Sequence, residues 1–249
     1  MLILLPPSET KHPGGSGAPW DAASLAFPQL APERAAVVDA LVALSAAPDD
    51  AVRRLKLGAR QHGEIAVNAA LRTAPTMPAV DRYTGVLYDA LDAASLDARA
   101  RRWLGAHVLI HSAPFGPVSA LDAIPAYRLG ATASLPGLPA LRRVWSSAVS
   151  TALADAAPAF VLDLRSEAYV GLGPVPASVP SAYVRVVSPG PDGAVRALNH
   201  FNKHAKGALI RRLATERPRI GSESGFVRWA EQSSLQVRRG DAGELQLFA

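Results

Sequence analysis

The chain has 249 residues, 49% of them hydrophobic and 19% charged, enough to bury a sizeable core and too apolar for general disorder. It contains no cysteine, which excludes a disulfide framework, a thiolate metal site, a cysteine-ligated iron–sulfur cluster and a thiol peroxidase. The net charge is +5, and the whole surplus lies in residues 185–239, which carry eleven Lys or Arg against four Asp or Glu. Such a stretch suits contact with a polyanion, although a solvated arginine-rich face has the same composition.

Met1–Leu5 is apolar, far shorter than the ~20 residues of a membrane span, and stopped by Pro6-Pro7. It reads as a buried strand of a soluble protein that stays inside the cell. A Pro/Gly/Ser loop follows to Pro32, which suits the first turn of a helix carrying Val37, Val38, Leu41 and Leu44 at helical spacing. Two short helices are expected over 49–57 and 61–71, broken near Gly58, then one helix over 80–93 with Tyr83, Val86, Leu87 and Leu91 on one face. Residues 106–112 and 160–164 read as buried strands, and 140–156 as a helix with Leu141, Val144, Trp145, Ala148 and Leu153 inward. Strands are expected at 183–187 and 195–198 around a turn at 188–193, a basic amphipathic helix over 200–216, and a closing hairpin of 235–239 with 244–248. The pattern predicts a single mixed α/β domain over 1–249, with one mixed central sheet that includes Leu2–Leu5 and helices on both sides.

Several blocks, in order along the whole chain, resemble the YaaA family of bacterial peroxide-stress proteins. They are Leu2-Ile3-Leu4-Leu5-Pro6-Pro7-Ser8-Glu9-Thr10-Lys11, Tyr83-Thr84-Gly85-Val86-Leu87-Tyr88, Ala126-Tyr127-Arg128-Leu129 followed by Trp145, Leu162-Asp163-Leu164-Arg165-Ser166-Glu167-Ala168-Tyr169, and His204-Ala205-Lys206-Gly207-Ala208 with Arg211. The resemblance implies a cytoplasmic protein that limits peroxide damage by keeping intracellular free iron low. It also implies an unusual mixed topology, a helix-hairpin-helix element and a positively charged cleft that binds double-stranded DNA with weak sequence selectivity. It brings no catalytic residues. Residues 55–66 stand where the hairpin belongs; Leu57-Gly58-Ala59 keeps its apolar-Gly-apolar core, while Arg60 replaces the second glycine.

The residues themselves offer three sites. On the basic helix, Phe201, Ala205, Leu209 and Leu213 form a core stripe, and Lys203, His204, Gly207 and Arg211 another face flanked by Lys206 and Arg212. That face could follow phosphates or be merely solvated. Leu57-Gly58-Ala59-Arg60, with Lys56, could offer backbone N–H groups and charge to a phosphate, or be a helix–helix turn with Gly58 as C-cap. Ser166, Glu167 and Tyr169 directly follow a strand, as Lys11 does; together with Arg128 they could form a polar cleft, or Ser166 and Glu167 could simply cap a helix.

The pairs His200/His204 and His107/His111 have the four-residue spacing of metal ligands but no third partner, so neither metal nor cofactor is expected. Three functions follow in order. The first is a DNA-associated stress protein without catalysis. The second is an enzyme of unknown reaction around Lys11, Ser166 and Glu167, and the third an iron-binding protein. No membrane partner is expected.

Overall fold

The computed structural model describes residues 1–189, 195–197, 201–241 and 243–248. The apolar start forms β1 (Leu2–Leu5), with Ile3, Leu4 and Leu5 buried. A strand covered on both faces reads as a continuous apolar run instead of an alternation. β1 lies between parallel partners β3 (Val108–Ser112) and β6 (Val161–Asp163), with Ile3 opposite both Val108 and Leu162. β6 pairs in parallel with β7 (Ser181–Pro189), and β7 with β10 (Glu244–Phe248). Antiparallel strands close the edges: β4 (Gly116–Ser119) beside β3, and β9 (Val237–Arg239) beside β10. β8 (Val195–Ala197) pairs with the last residues of β7. The order β4-β3-β1-β6-β7-β10-β9 is one mixed sheet, as the sequence predicts. β2 (Met77–Pro78) and β5 (Ala123–Ile124) form a separate pair.

Parallel neighbours need crossover connections, and helices provide them. Between β1 and β3 run α1 (Ala31–Ser45), α2 (Pro48–Leu55), α3 (Glu64–Ala69), α4 (Ala79–Arg82), α5 (Val86–Leu91) and α6 (Ala98–His107). α7 (Leu141–Ala156) and α8 (Glu167–Val170) flank β6, and α9 (Phe201–Glu216) and α10 (Glu223–Gln232) precede the final hairpin. The buried side chains join in one apolar cluster that extends from Ile3 to Leu247. Among the described residues no helix is long and apolar enough to cross a membrane.

Three segments depart from the sequence expectation. The helix expected over 80–93 is two helices broken at Tyr83-Thr84-Gly85. Gly85 has φ +94, the Thr84 N–H bonds to the Thr10 carbonyl at 3.1 Å, and Tyr83 forms a β-bridge with Lys11. Pairing with the segment after β1 therefore overrides the helical spacing. The strand expected from 106 starts at Val108, because Ala106 and His107 end α6, whose N-terminus is capped by Asp97 accepting from the Ala100 N–H at 2.6 Å. α6 and α10 carry many charges and went unread as helices. Of the expected strand over 195–198 and the turn over 188–193, Leu198 and residues 190–193 lie outside the described residues, as does His200.

On α9, Leu209 and Leu213 are buried as expected, joined by Ile210 and Ala214; the Phe201 side chain lies outside what is described. Gly207 is a correction. It does not face a phosphate surface but packs on α5, where an added Cβ would stand 2.1 Å from the Leu87 carbonyl oxygen. Gly207→Ala gains about 1 kcal/mol of helix propensity, yet overpacking against backbone costs about 1–3 kcal/mol. We expect a net loss of stability in urea denaturation; an unchanged or raised midpoint would show that α9 and α5 separate easily.

Candidate functional site

The chain leaves β1 for β3 on one side and later crosses to β6 on the other, so the strand order reverses at the β1/β6 boundary. In open α/β sheets a crevice forms beyond the carboxyl ends of the strands at such a point. Here the segments that leave it are Pro6–Lys11 after β1 and Leu164–Tyr169 after β6. They border two adjoining cavities of about 860 and about 540 Å³, which share Pro7, Ser8, Glu9, Ala168 and Tyr169 as a common wall.

That wall stands on a buried polar unit. Arg165, with no exposed surface, makes a two-pronged ion pair with Asp163 (Nε to Oδ1 2.9 Å, Nη2 to Oδ2 2.6 Å). Its Nη1 donates to the Gly173 carbonyl and to His111 Nδ1, both at 2.8 Å. Since arginine is always a donor, His111 must accept at Nδ1 and carry its proton on Nε2. Burial and the Arg165 charge push the His111 pKa well below the usual value, so the ring is neutral.

The smaller cavity is lined by Lys11, Arg54, Lys56, Gln61, Arg128 and Tyr169, among others. Lys11 Nζ donates to the carbonyls of Ser8 (2.9 Å) and Glu9 (3.2 Å) and lies 4.1 Å from the centre of the Tyr127 ring. Tyr127 is itself fixed by hydroxyl contacts with Tyr83 (2.8 Å) and Ser112 (3.1 Å). Burial first, then the Arg128 charge, lower the Lys11 pKa to about 7. The Tyr127 face attracts the ammonium and works the other way, by about 2 kcal/mol, which is less than the lowering and leaves Lys11 below an ordinary lysine. Arg128 is placed by Asn68 of α3, which bonds both its backbone N–H (2.7 Å) and carbonyl (2.9 Å), while its guanidinium meets the exposed Glu9 at 3.1 Å.

The larger cavity is lined on one side by Ser166, Glu167 and Tyr169, and on the other by Tyr183 and Arg185 of β7 with Asn202, Lys203 and Lys206 of α9. Lys206 is 4% exposed, with Nζ 5.6 Å from the Tyr183 ring. Burial lowers its pKa to about 8, against the pull of Asp163. Asn202 Oδ1 is buried without a hydrogen-bond partner among the described residues.

The family profile described as peroxide stress protein YaaA matches residues 1–225. The chain belongs to the YaaA family. It is 48% identical to a UPF0246 protein of Corynebacterium efficiens over 91% of this chain and 90% of that one. Identity is 43% to one from Corynebacterium glutamicum (95% and 94% covered) and 44% to one from Streptomyces coelicolor (86% and 82%).

In this YaaA-family chain the structure brings Lys11, Arg128 and Tyr169 to the smaller cavity, and Ser166, Glu167 and Tyr169 to the larger. Ser166 does take the N-cap position of α8, but its side chain makes no capping bond and lines the cavity instead. Lys56 lines the smaller cavity, and Lys203 and Lys206 the larger. Arg60 and His204 are exposed and line neither. Arg211 is engaged elsewhere: it bonds the carbonyls of Leu91 and Asp92 at the end of α5, both at 2.9 Å. Arg212 pairs with Glu216 at 2.7 Å.

The alternative reading of Gly58 as a helix C-cap is also corrected. Lys56 closes α2 in the left-handed conformation (φ 54), and Gly58 instead opens the 59–61 turn with its N–H on Gln61 Oε1 at 3.0 Å. His107 and His111 do not share a site, since His107 ends α6 and bonds the Met1 carbonyl. Among the described residues no three His, Asp or Glu side chains are grouped to hold a metal ion.

Sequence reasoning missed Arg54, Arg185 and Asn202, and the Asp163–Arg165–His111 unit. One sequence signal was available for part of the crevice. The chain has only four lysines among its 26 basic residues, and Lys11, Lys56, Lys203 and Lys206 all line the two cavities.

The Lys11 shift has a consequence for stability. Its folded-state value of about 7 lies below the ordinary 10.5. Below pH 7 both states hold the proton and the folded state carries the full cost of the buried charge. Between 7 and 10.5 the unfolded chain holds more protons, so stability rises with pH. Denaturation of the parent and of Lys11→Met at about pH 6 and about pH 9 checks this. The variant should gain most at the lower pH, and a pH-independent difference would contradict the shift.

Proposed function

We propose that the crevice binds DNA, and that through this contact the protein lowers intracellular free iron and so limits oxidative damage under peroxide stress. The observation that carries the reading is the convergence of all four lysines on the crevice, in a chain that otherwise uses arginine. Arg54, Lys56 and Arg128 border one cavity and Arg185, Lys203 and Lys206 the other, against the carboxylates of Glu9 and Glu167. These cations come from α2, the loop after β5, β7 and α9, so they form one surface only in the folded chain. Contacts of this kind hold phosphates without reading bases, which supports duplex binding with weak sequence selectivity.

The test is fluorescence anisotropy of labelled duplexes over a salt series. Log affinity should fall linearly with log salt, with a slope of about −0.9 per phosphate neutralised. Lys56→Ala with Lys203→Ala should reduce the slope by roughly two and weaken unrelated sequences alike. Arg211→Ala is a poor probe, because it would first destabilise the end of α5. If the lysine double variant binds as the parent does at every salt concentration, the crevice is not the DNA surface. In cells exposed to peroxide, the same variant should leave chelatable iron higher than the parent does.

A further inference from the structure

The half-buried Lys11 and the buried Lys206 differ in what surrounds them. The foremost charge at Lys206 is the attracting Asp163, ahead of the repelling Arg185, whereas at Lys11 it is the repelling Arg128, ahead of the attracting Glu64 and Glu9. Lys11 Nζ also sits at the wall of an open cavity, with two backbone carbonyls, those of Ser8 and Glu9, taking its hydrogens. A neutral amine has two N–H donors and one lone pair. Both donors are satisfied by those carbonyls, and among the described residues no group donates a hydrogen bond to the lone pair. Lys56 and Arg128 border the same cavity, and the Glu9 carboxylate that pairs with Arg128 is exposed enough to yield to another anion.

We infer that Lys11 is an imine-forming amine. The cavity takes a carbonyl compound bearing a carboxylate or phosphate, with the anionic group against Arg128 and Lys56 and the carbonyl carbon at Lys11 Nζ. The nitrogen lone pair adds to the carbonyl carbon, the former carbonyl oxygen takes up a proton, and the carbinolamine loses water to give the imine. No oxidant or metal is needed. Lysines set beside another cation or in an apolar pocket are the ones that supply such an amine at neutral pH. The lowering of the Lys11 pKa towards about 7 leaves far more of the side chain neutral at pH 7 than for a lysine at 10.5. The charged groups that act on it are Arg128, Glu9, Glu64 of α3 and Arg82 of α4, with the Tyr83 and Tyr127 rings against it. The proposal does not rest on binding of intact duplex.

The shared chemistry has two sources, a small oxoacid or the aldehyde of an abasic site, which lies between phosphates in DNA. The folded protein is incubated at pH 7 with sodium cyanoborohydride and either glyoxylate or a duplex carrying one abasic site, and the adducts are mapped by peptide mass spectrometry. The hydride reduces the imine to a stable secondary amine. Lys11 should be modified at least about tenfold more than Lys56 or Lys203, and several-fold more than Lys206, in one arm or both, and the productive arm identifies the source. Inorganic phosphate should compete with glyoxylate. Arg128→Gln should move the pH midpoint of labelling upward, because it removes the repelling charge. Mapping on the unaltered protein makes the result independent of whether a Lys11 variant folds. Labelling of the four lysines in order of their exposure, with Lys11 not favoured in either arm, would overturn the proposal.

Discussion

A guanidinium with no contact to solvent holds the crevice in shape. Arg165 joins the end of β6 through Asp163, the body of β3 through His111, and the turn at Gly173. Such a pair is weak evidence of stability, since desolvation offsets much of the attraction. Removing one partner, however, strands a buried charge at a cost of about 3–5 kcal/mol. What the unit provides is position. Ser166, Glu167 and Tyr169 leave the sheet directly after Arg165, so the wall shared by the two cavities is anchored at the one place where the strand order reverses.

The protein divides its cations by chemistry. Arg34, in α1, is fully buried and donates to the carbonyls of Ala22, Phe27 and Phe115. Arg82 does the same for His12, Pro75 and Ile124. A planar fork with five donors can satisfy several carbonyls at once and holds loops that have no ladder of their own. Arg211 plays a similar part at the end of α5. Lysine, a compact charge that readily changes its protonation on burial, is kept for the crevice. Counting charge along the chain therefore misjudges the surface, because arginines of the C-terminal quarter that lie outside the crevice are engaged in pairs: Arg212 with Glu216 and Arg239 with Glu223.

The two cavities also separate two electrostatic tasks. Beside Asp163, Lys206 keeps most of its charge at neutral pH and suits a phosphate. Beside Arg128, Lys11 gives up its proton more readily and suits a nucleophile. Groups of one type, pushed apart by their surroundings, mark where different roles can coexist in one site. A cleft with a charged lysine on one side and a more readily deprotonated one on the other does not force a choice between binding and chemistry.

The sequence by itself determined the strands at 2–5 and 160–164, the helices with Val37, Leu41, Trp145 and Leu213 inward, and the closing hairpin, because continuous apolar runs and helical spacing are local signals of burial. It also determined that thiol chemistry is impossible, and its ordered blocks placed the chain in its family. Only the tertiary structure decided that Tyr83-Thr84-Gly85 breaks a helix, since the cause is pairing with Thr10 and Lys11, more than seventy residues away. It decided that Gly207 serves α5, because the neighbour that requires a missing Cβ is the backbone of Leu87. And it decided which cations share a surface: residues 54–56, 128 and 185–206 meet only through the reversal of strand order, a long-range fact that no local pattern encodes.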